Sequence, residues 1–595
     1  MEKSKITKSL AVFASVLLII IIGVASFAYF GTFNVNLINN VAVNINSASP
    51  GNATFTSNAT QLNLQVPAAN MSFTVANNEV AAKEDTAFLD VTLTGSANLL
   101  TTCTYDIIYE YDAESNVYGQ GTTTKTSGAT KEITIEVNGM NGNNHFATET
   151  NFDHANVQSY YDSTNKYYKL VEGATIQSLG STQSVRWKIT GRYYNLDVSQ
   201  AQLGGKNFTG KIYAISKGCS SEDGTTVKKG YETILANNGG AASMTTLTST
   251  DFATVTTASD KGMYKAQDDL GTSYYFRGAV DNNWVKYGKY TKDTYITADS
   301  NSNFSLVESC DGLELCAKLA SKGDDMYWRI IRVNGDNSIR MIYTGTSAPD
   351  SNTKVVMTES TNNSGYIRAT SAGMSKFNQN RDSAEYVGYM YTIGQQHGTS
   401  KSSDIKTYLD NWYANYTNLN ATGTKITDQI YCNDRTASTS DVAYSTTNYT
   451  TLTSWNSTGT EYYYGAYGRI ANDNNPMLTC AVDSDRFTVN KINSKGNSAL
   501  TYPIGLITID ELEMAGNNWS ESNTSYYLHT GANYWAGSPI GFDVGNDANG
   551  FDVRGDGDLD YGSVDGYLGV RGVVSLSSES KLLGSGTYND VYTVN

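Results

Sequence analysis

Seven aspartates crowd the stretch 543–565: Asp543, Asp547, Asp552, Asp556, Asp558, Asp560 and Asp565, with Arg554 as the only cation among them. Seven minus one leaves a local charge of −6. Asp556, Asp558 and Asp560 alternate, and carboxylate oxygens at the first, third and fifth positions of a loop are what begins an EF-hand calcium site. The sixth position should then be Gly and is Tyr561, and the twelfth should be Glu and is Tyr567, which excludes an EF-hand. A weak calcium site of the extracellular kind on Asp556, Asp558 and Asp560 remains open, beside the plainer reading of a solvated acidic loop. Phe551, Val553, Leu559 and Tyr561 alternate with Asp and Gly, as in short strands with exposed acidic partners.

Other chemistry is sparse. Asp510-Glu511 could serve acid/base work on a glycan. Thr508 with Glu511 three residues on reads equally as a capped helix start enriched in acids. The four histidines, at 145, 154, 397 and 529, are scattered, with no Gly-x-Ser-x-Gly elbow or His-Glu-x-x-His helix. No catalytic residue is assigned, and no enzyme is expected. The net charge of −16 and pI near 4.8 argue against a nucleic-acid partner, because phosphate backbones are bound by clustered Lys and Arg. Six cysteines with no Cys-x-x-Cys pair suit disulfides. Of the 15 connectivities that six cysteines allow, proximity in sequence alone favours Cys103 with Cys219, Cys310 with Cys316 and Cys432 with Cys480, the alternative being six free thiols buried as small hydrophobes. Closing the last ring would stabilise the fold by about 4 kcal/mol in the loop-entropy picture.

The elements that must position these residues begin with a membrane segment over residues 1–32. The uncharged run Leu10 to Phe30 follows Lys3, Lys5 and Lys8. At about 1.5 Å per residue such a helix crosses a hydrocarbon core of roughly 30 Å. The basic side stays inside, so a single-pass protein with a cytoplasmic N-terminus and an extracellular bulk is expected. Ser26-Phe27-Ala28 also offers small residues at signal-peptidase spacing, leaving retention and cleavage after Ala28 both open.

The rest is mainly β with some α: only 17% of residues are charged, and there are 43 Tyr, 53 Gly and 6 Pro. Seven alternating or β-branched runs (61–66, 87–93, 103–111, 131–137, 167–179, 184–195 and 208–215) predict a β-sandwich stalk over 33–217. Residues 218–268 read as a connector, with a short helix at 231–238 ended by Gly239-Gly240. The region 269–595 is mixed α+β. Turn residues predict hairpins 274–280/283–287 and 327–333/338–343. Helices are predicted around 313–319, over 402–416 with Ile405, Leu409, Trp412 and Tyr413 on one face, and over 509–515. Trp328, Trp412 and Trp535 suit a core.

Several motifs in this region carry a family resemblance. Tyr274-Tyr275-Phe276-Arg277-Gly278-Ala279-Val280-Asp281-Asn282-Asn283-Trp284-Val285, Trp328-Arg329-Ile330-Ile331-Arg332-Val333-Asn334-Gly335-Asp336, Gly505-Leu506-Ile507-Thr508, Tyr534-Trp535-Ala536-Gly537-Ser538-Pro539 and Gly569-Val570-Arg571-Gly572-Val573-Val574-Ser575-Leu576 resemble uncharacterised exported proteins of gut Firmicutes and Mollicutes. Their domain, roughly 270–595 here, is similar to the C-type-lectin-like fold of the formylglycine-generating-enzyme branch. This chain departs from the pattern at Gly572, where the family usually has Pro, and at Gly537, where it usually has Met or Arg. It also has no cysteine after Cys480 to carry that branch's oxidation. The N-terminal part is more loosely similar to camelysin-like biofilm-matrix proteins.

The resemblance implies that the segment between Trp535 and Val570 is displayed outward. It makes Tyr534, Trp535, Asp543, Asp547, Asp552, Arg554, Asp556, Asp558 and Asp560 the candidate ligand contacts. The expected function is a membrane-tethered bacterial surface protein whose C-type-lectin-like domain binds an extracellular protein or glycan for adhesion. The alternatives are a self-associating biofilm-matrix or filament subunit, and a glycan-processing enzyme.

Overall fold

The structure, a computed structural model, describes residues 41–46, 52–65, 81–95, 99–111, 131–139, 142–194, 207–224, 227–299, 303–313, 316–349, 372–438, 455, 461–543, 545 and 547–595. Leu10 to Phe30 and the Ala28 cleavage position lie outside them, and no described helix is long and apolar enough to cross a membrane. The chain is mainly β with few helices and divides into two compact units, the first Met1–Val137 with Asn141–Thr225 and the second Thr226–Asn595 with Asn138–Met140.

The first unit is built from β1 (Val41–Asn46), β2 (Asn52–Ser57), β3 (Thr60–Gln65), β4 (Ala81–Thr94), β5 (Leu99–Tyr111), β6 (Ile133–Asn138), β7 (Asn143–Asn144), β8 (Thr150–Asn151), β9 (Tyr161–Asp162), β10 (Tyr167–Leu179), β11 (Thr182–Tyr194) and β12 (Asn207–Asp223). One sheet runs β1-β2-β4-β11-β6-β8; the other runs β3-β12-β5-β10-β7, with β9 on β10. Strand periodicity explains why both share one apolar core. In β11, Val185, Trp187 and Ile189 turn inward, while Arg186 on the opposite face makes two hydrogen bonds, at 2.8 and 2.9 Å, to its cross-strand neighbour Asp90. Trp187 is fully buried and its indole N–H donates to the Tyr105 hydroxyl at 3.0 Å. Truncating it to Ala would cost about 3–5 kcal/mol. Cys103 and Cys219 face each other across β5 and β12 and are joined by a disulfide. Each of the seven predicted runs coincides with a strand over most of its described residues, several strands being longer than expected, while positions 66 and 195 lie outside the described residues; β2, which buries Phe55, lies in a stretch that reads as merely polar.

The expected connector 218–268 holds the end of β12, the helix Gly230–Asn237 and β13 (Lys261–Asp268). In the second unit β13 pairs with β14 (Gly271–Gly278), which meets β19 (Asp325–Val333). β15 (Trp284–Lys289) also pairs with β19, and β19 pairs with β20 (Ile339–Gly345). The strand Val573–Leu576 closes on β20. Here the predicted hairpin 274–280/283–287 is corrected: β14 and β15 do not pair with each other. Gly278 (φ +87°) turns the chain, and the buried Asn283 side chain donates to the Ile330 carbonyl at 2.8 Å, so β15 joins β19 further along. The predicted helix at 313–319 is also corrected. Cys316–Ala320 is β18, paired with β16 (Thr294–Ala298) and tied by the Cys310–Cys316 disulfide, while β17 (Phe304–Val307) flanks the other edge of β16.

The helices at 404–411, capped by Ser403 and extended by a π-turn over 412–416, and at 509–514, with the reciprocal Thr508–Glu511 cap, match the sequence signals. A further sheet orders Met374–Lys376, Tyr567–Gly569, Tyr534–Phe542, Ala548–Val553 and Leu559–Ser563. It shares one large core with the β19 sheet, and that core contains Trp328, Trp412 and Trp535. Gly572 sits where a β-carbon would approach Ile504 and Trp412 side chains at 3.0 and 3.1 Å, so this closing strand is packed tightly.

Candidate acidic hairpin

Strands Ala548–Val553 and Leu559–Ser563 form a hairpin on the edge of the second sheet, with Asp552 opposite Asp560 on one side and opposite Trp535 on the other. One face inserts Phe551, Val553 and Leu559 into the core. The other face was expected to be wet, yet Asp552 is fully buried. The reason is that this face is covered. Trp535 donates its indole N–H to the Ser375 carbonyl at 3.0 Å and packs edge-on to Phe377. Gly562, lacking a side chain, leaves room for the Asp552 carboxylate and the Trp535 ring above it. As candidate ligand contacts Tyr534 and Trp535 are corrected, while the core reading of Trp535 agrees with the structure: they are 0% and 1% exposed, and the Tyr534 hydroxyl donates to the Leu528 carbonyl at 3.1 Å.

The seven aspartates separate into two groups. At the turn, Arg554 Nε lies 2.8 Å from Asp560 Oδ2 and 3.1 Å from Asp552 Oδ1, and its Nη2 donates to the Tyr561 carbonyl at 2.6 Å. The Asp552 contact is an ion pair without hydrogen-bond alignment, so neither Asp552 oxygen accepts a hydrogen bond. Burial pushes Asp552 up to about 7, with Arg554 opposing and Asp560 and Asp558 adding to the shift. Asp558, partly buried beside Asp560 and Asp556, is pushed up to about 6. Asp556 accepts from the Ser522 hydroxyl at 2.7 Å, which holds its carboxyl below the ordinary value. At the open end of the hairpin, Arg381 meets Asp547 at 2.8 Å and Asp565 at 3.6 Å, while Asp543 accepts from the Asp547 amide at 3.1 Å and from the Asn549 side chain at 3.3 Å. Among the described residues no group of three or more His, Cys, Asp or Glu side chains is arranged to hold a metal ion. Asp556 is held by Ser522 and Asp560 by Arg554, whereas Asp558 Oδ1 is buried without a hydrogen-bond partner.

Sequence reasoning missed Arg381, which is far away in the chain. It also missed Trp519, whose ring lies 6.3 Å from that of Tyr561 with 17° between their planes. No local pattern marks either residue.

A second polar centre was missed as well. A cavity of about 30 Å³ is bordered by Arg332, Arg340, Arg469, Asp268, Asp510 and Glu511. Arg332 donates from Nε to Glu511 at 3.0 Å and from Nη1 to Asp268 at 2.7 Å; Arg340 Nε lies 2.6 Å from Glu511. Arg469 clasps Asp510 with bonds of 3.0 and 3.1 Å and reaches Asp434 at 2.8 Å. The Cys432–Cys480 disulfide forms as paired from the sequence, and Cys432 borders the cavity. Burial alone would raise Glu511, but Arg340 and Arg332 outweigh it and hold its carboxyl below the ordinary value. Asp510 and Glu511, the pair considered for glycan acid/base work, are thus counter-ions of buried or nearly buried arginines. Two residues on, Glu513 is fully buried, neither oxygen has a hydrogen-bond partner, and burial pushes it up to about 9. The chain matches no family and no curated protein.

Proposed function

We propose that the protein is a membrane-tethered bacterial surface protein whose second unit is a C-type-lectin-like head and whose first unit is a β-sandwich stalk, with the acidic hairpin presented for adhesion or ligand recognition. The observation that carries this reading is the hairpin itself. Its apolar residues are fixed in the core, while Asp556, Tyr561 and the Arg381 group remain at the surface. A rigid support under exposed polar groups is what a recognition surface needs. The basic N-terminus followed by Leu10 to Phe30 supports the tether. The test is a glycan and protein array probed with the full chain in mild detergent, with and without calcium. Reproducible capture of a ligand is expected, and silence on both arrays sinks the reading.

One observation favours the matrix or filament alternative. β12 runs from Asn207 to Asp223, but on one side β3 covers only Asn207 to Ile212, which leaves strand edge uncovered among the described residues. Such an edge can pair with another copy. Concentration-dependent polymers of the full chain, seen by sedimentation, would favour that reading over adhesion.

A further inference from the structure

Tyr561 is 42% exposed, one of few large apolar side chains so placed among the described residues. It projects from the hairpin nearly parallel to Trp519. Trp519 is held rigidly. Its ring meets Tyr467 at 5.3 Å and Phe551 at 5.6 Å, both edge-on, and its backbone bridges to Leu559, with the Ser520 amide donating to the Leu559 carbonyl at 3.2 Å. The same two segments carry Glu521, Asp556 and Asp558, the first two exposed and both within electrostatic reach of Asp558. Arg554 is already engaged with Asp552, Asp560 and the Tyr561 carbonyl, and His529 meets the Gly555 carbonyl at 2.9 Å. Three carboxyls, those of Glu521, Asp556 and Asp558, thus accompany an ordered aromatic surface, while Arg554 is turned to Asp552 and Asp560 on the other face.

We propose that the Trp519–Tyr561 ring pair is a seat for a cationic side chain, the guanidinium or ammonium of a Lys/Arg-rich peptide segment on a partner protein. A cation gains from the ring faces and from the accompanying carboxylates together, whereas a neutral sugar gains only the stacking. A cation there also favours the charged form of Asp558, so binding releases protons and tightens as pH rises through about 6. The inference rests on the reading of this unit as a binding head and names its ligand class.

The experiment titrates the full chain, in mild detergent, with a peptide of alternating Arg and Lys, with a Gly-Ser peptide and with a neutral chitin oligosaccharide, by calorimetry. The basic peptide should bind, and Tyr561→Ala should weaken it about tenfold while Tyr561→Phe keeps it. Glu521→Gln with Asp558→Asn should weaken it and flatten its pH dependence. Raising salt from about 50 to about 500 mM should weaken it further. Circular dichroism checks that each variant is folded. Three results would overturn the proposal: no binding of the basic peptide, binding indifferent to Tyr561→Ala, or Tyr561-dependent binding of the neutral oligosaccharide instead. An array ligand unaffected by Tyr561→Ala leaves the head reading standing and removes this one. Silent arrays with Tyr561-dependent peptide binding do the reverse.

Discussion

Glu511 and Asp552 are buried to nearly the same degree in the same unit, at 3% and 0% exposure, yet burial has opposite outcomes for them. Two guanidiniums reach Glu511, in the network beside the cavity, and keep it ionised. In the hairpin, one guanidinium is divided between Asp560 and Asp552 and reaches the latter out of line, so Asp552 rises to about 7. Glu513, on the same short helix as Glu511, has no hydrogen-bond partner at its carboxyl and rises to about 9. Desolvation always disfavours the charged form, and the number and alignment of partners decide whether it prevails.

Substitutions can break this contrast, and the largest effect is expected at Glu511. Glu511→Gln leaves Arg332 and Arg340 buried without their shared counter-ion and should cost about 3–5 kcal/mol in urea unfolding. A loss under about 1 kcal/mol would mean the network is not what holds the two arginines.

Asp552 should show itself in the pH dependence. Its folded value of about 7 lies above the unfolded value of about 3.9. Between those pH values the folded state keeps a proton the unfolded state has released, so stability falls as pH rises from about 4 to about 7, by up to about 4 kcal/mol, and then levels off. Asp552→Asn should remove that slope. An unchanged slope would return Asp552 to the ordinary carboxylates.

Glu513→Gln sharpens the comparison by contrast with its neighbour. At pH near 7 the folded state keeps this carboxyl protonated while the unfolded state has released the proton, so stability falls as pH rises from the ordinary carboxylate range towards about 9, and the amide should remove that slope and stabilise the protein at pH 7. Above about pH 9, where the folded carboxyl is also ionised, the curves of parent and variant should run parallel. Smallest of all is Arg381→Gln. Arg381 is half exposed, so its pairs with Asp547 and Asp565 are worth under about 1 kcal/mol, and melting should barely shift.

What could be read from the sequence was local. Alternation located the long strands of the first unit, Asn334-Gly335-Asp336 located the turn between β19 and β20, and Thr508 with Glu511 located a helix start. Signals failed where a distant partner decides the outcome. The apolar spacing of Leu313 to Leu319 suits a helix, but pairing to β16 makes 316–320 a strand. The same capping Glu511 also neutralises Arg332, 179 positions away, which no helix signature reveals. Trp535 suited a core but was also a candidate contact until Ser375, 160 positions earlier, claimed its indole, and Asp552 reads as exposed because nothing local shows that its carboxylate and the Trp535 ring lie over the same glycine, Gly562. The aspartates were legible as a cluster but not as two groups, because Arg381 and Ser522 sort them from outside the run.

The Cys103–Cys219 bridge has a mechanical consequence. It fastens β5 to β12 across a sequence separation of 116. An extended chain gains at most about 3.3–3.6 Å per residue, so the bridge withholds roughly 400 Å of length when the first unit is stretched from its ends. Reduced, the unit could pay that length out under load; oxidised, it remains a short and stiff tie.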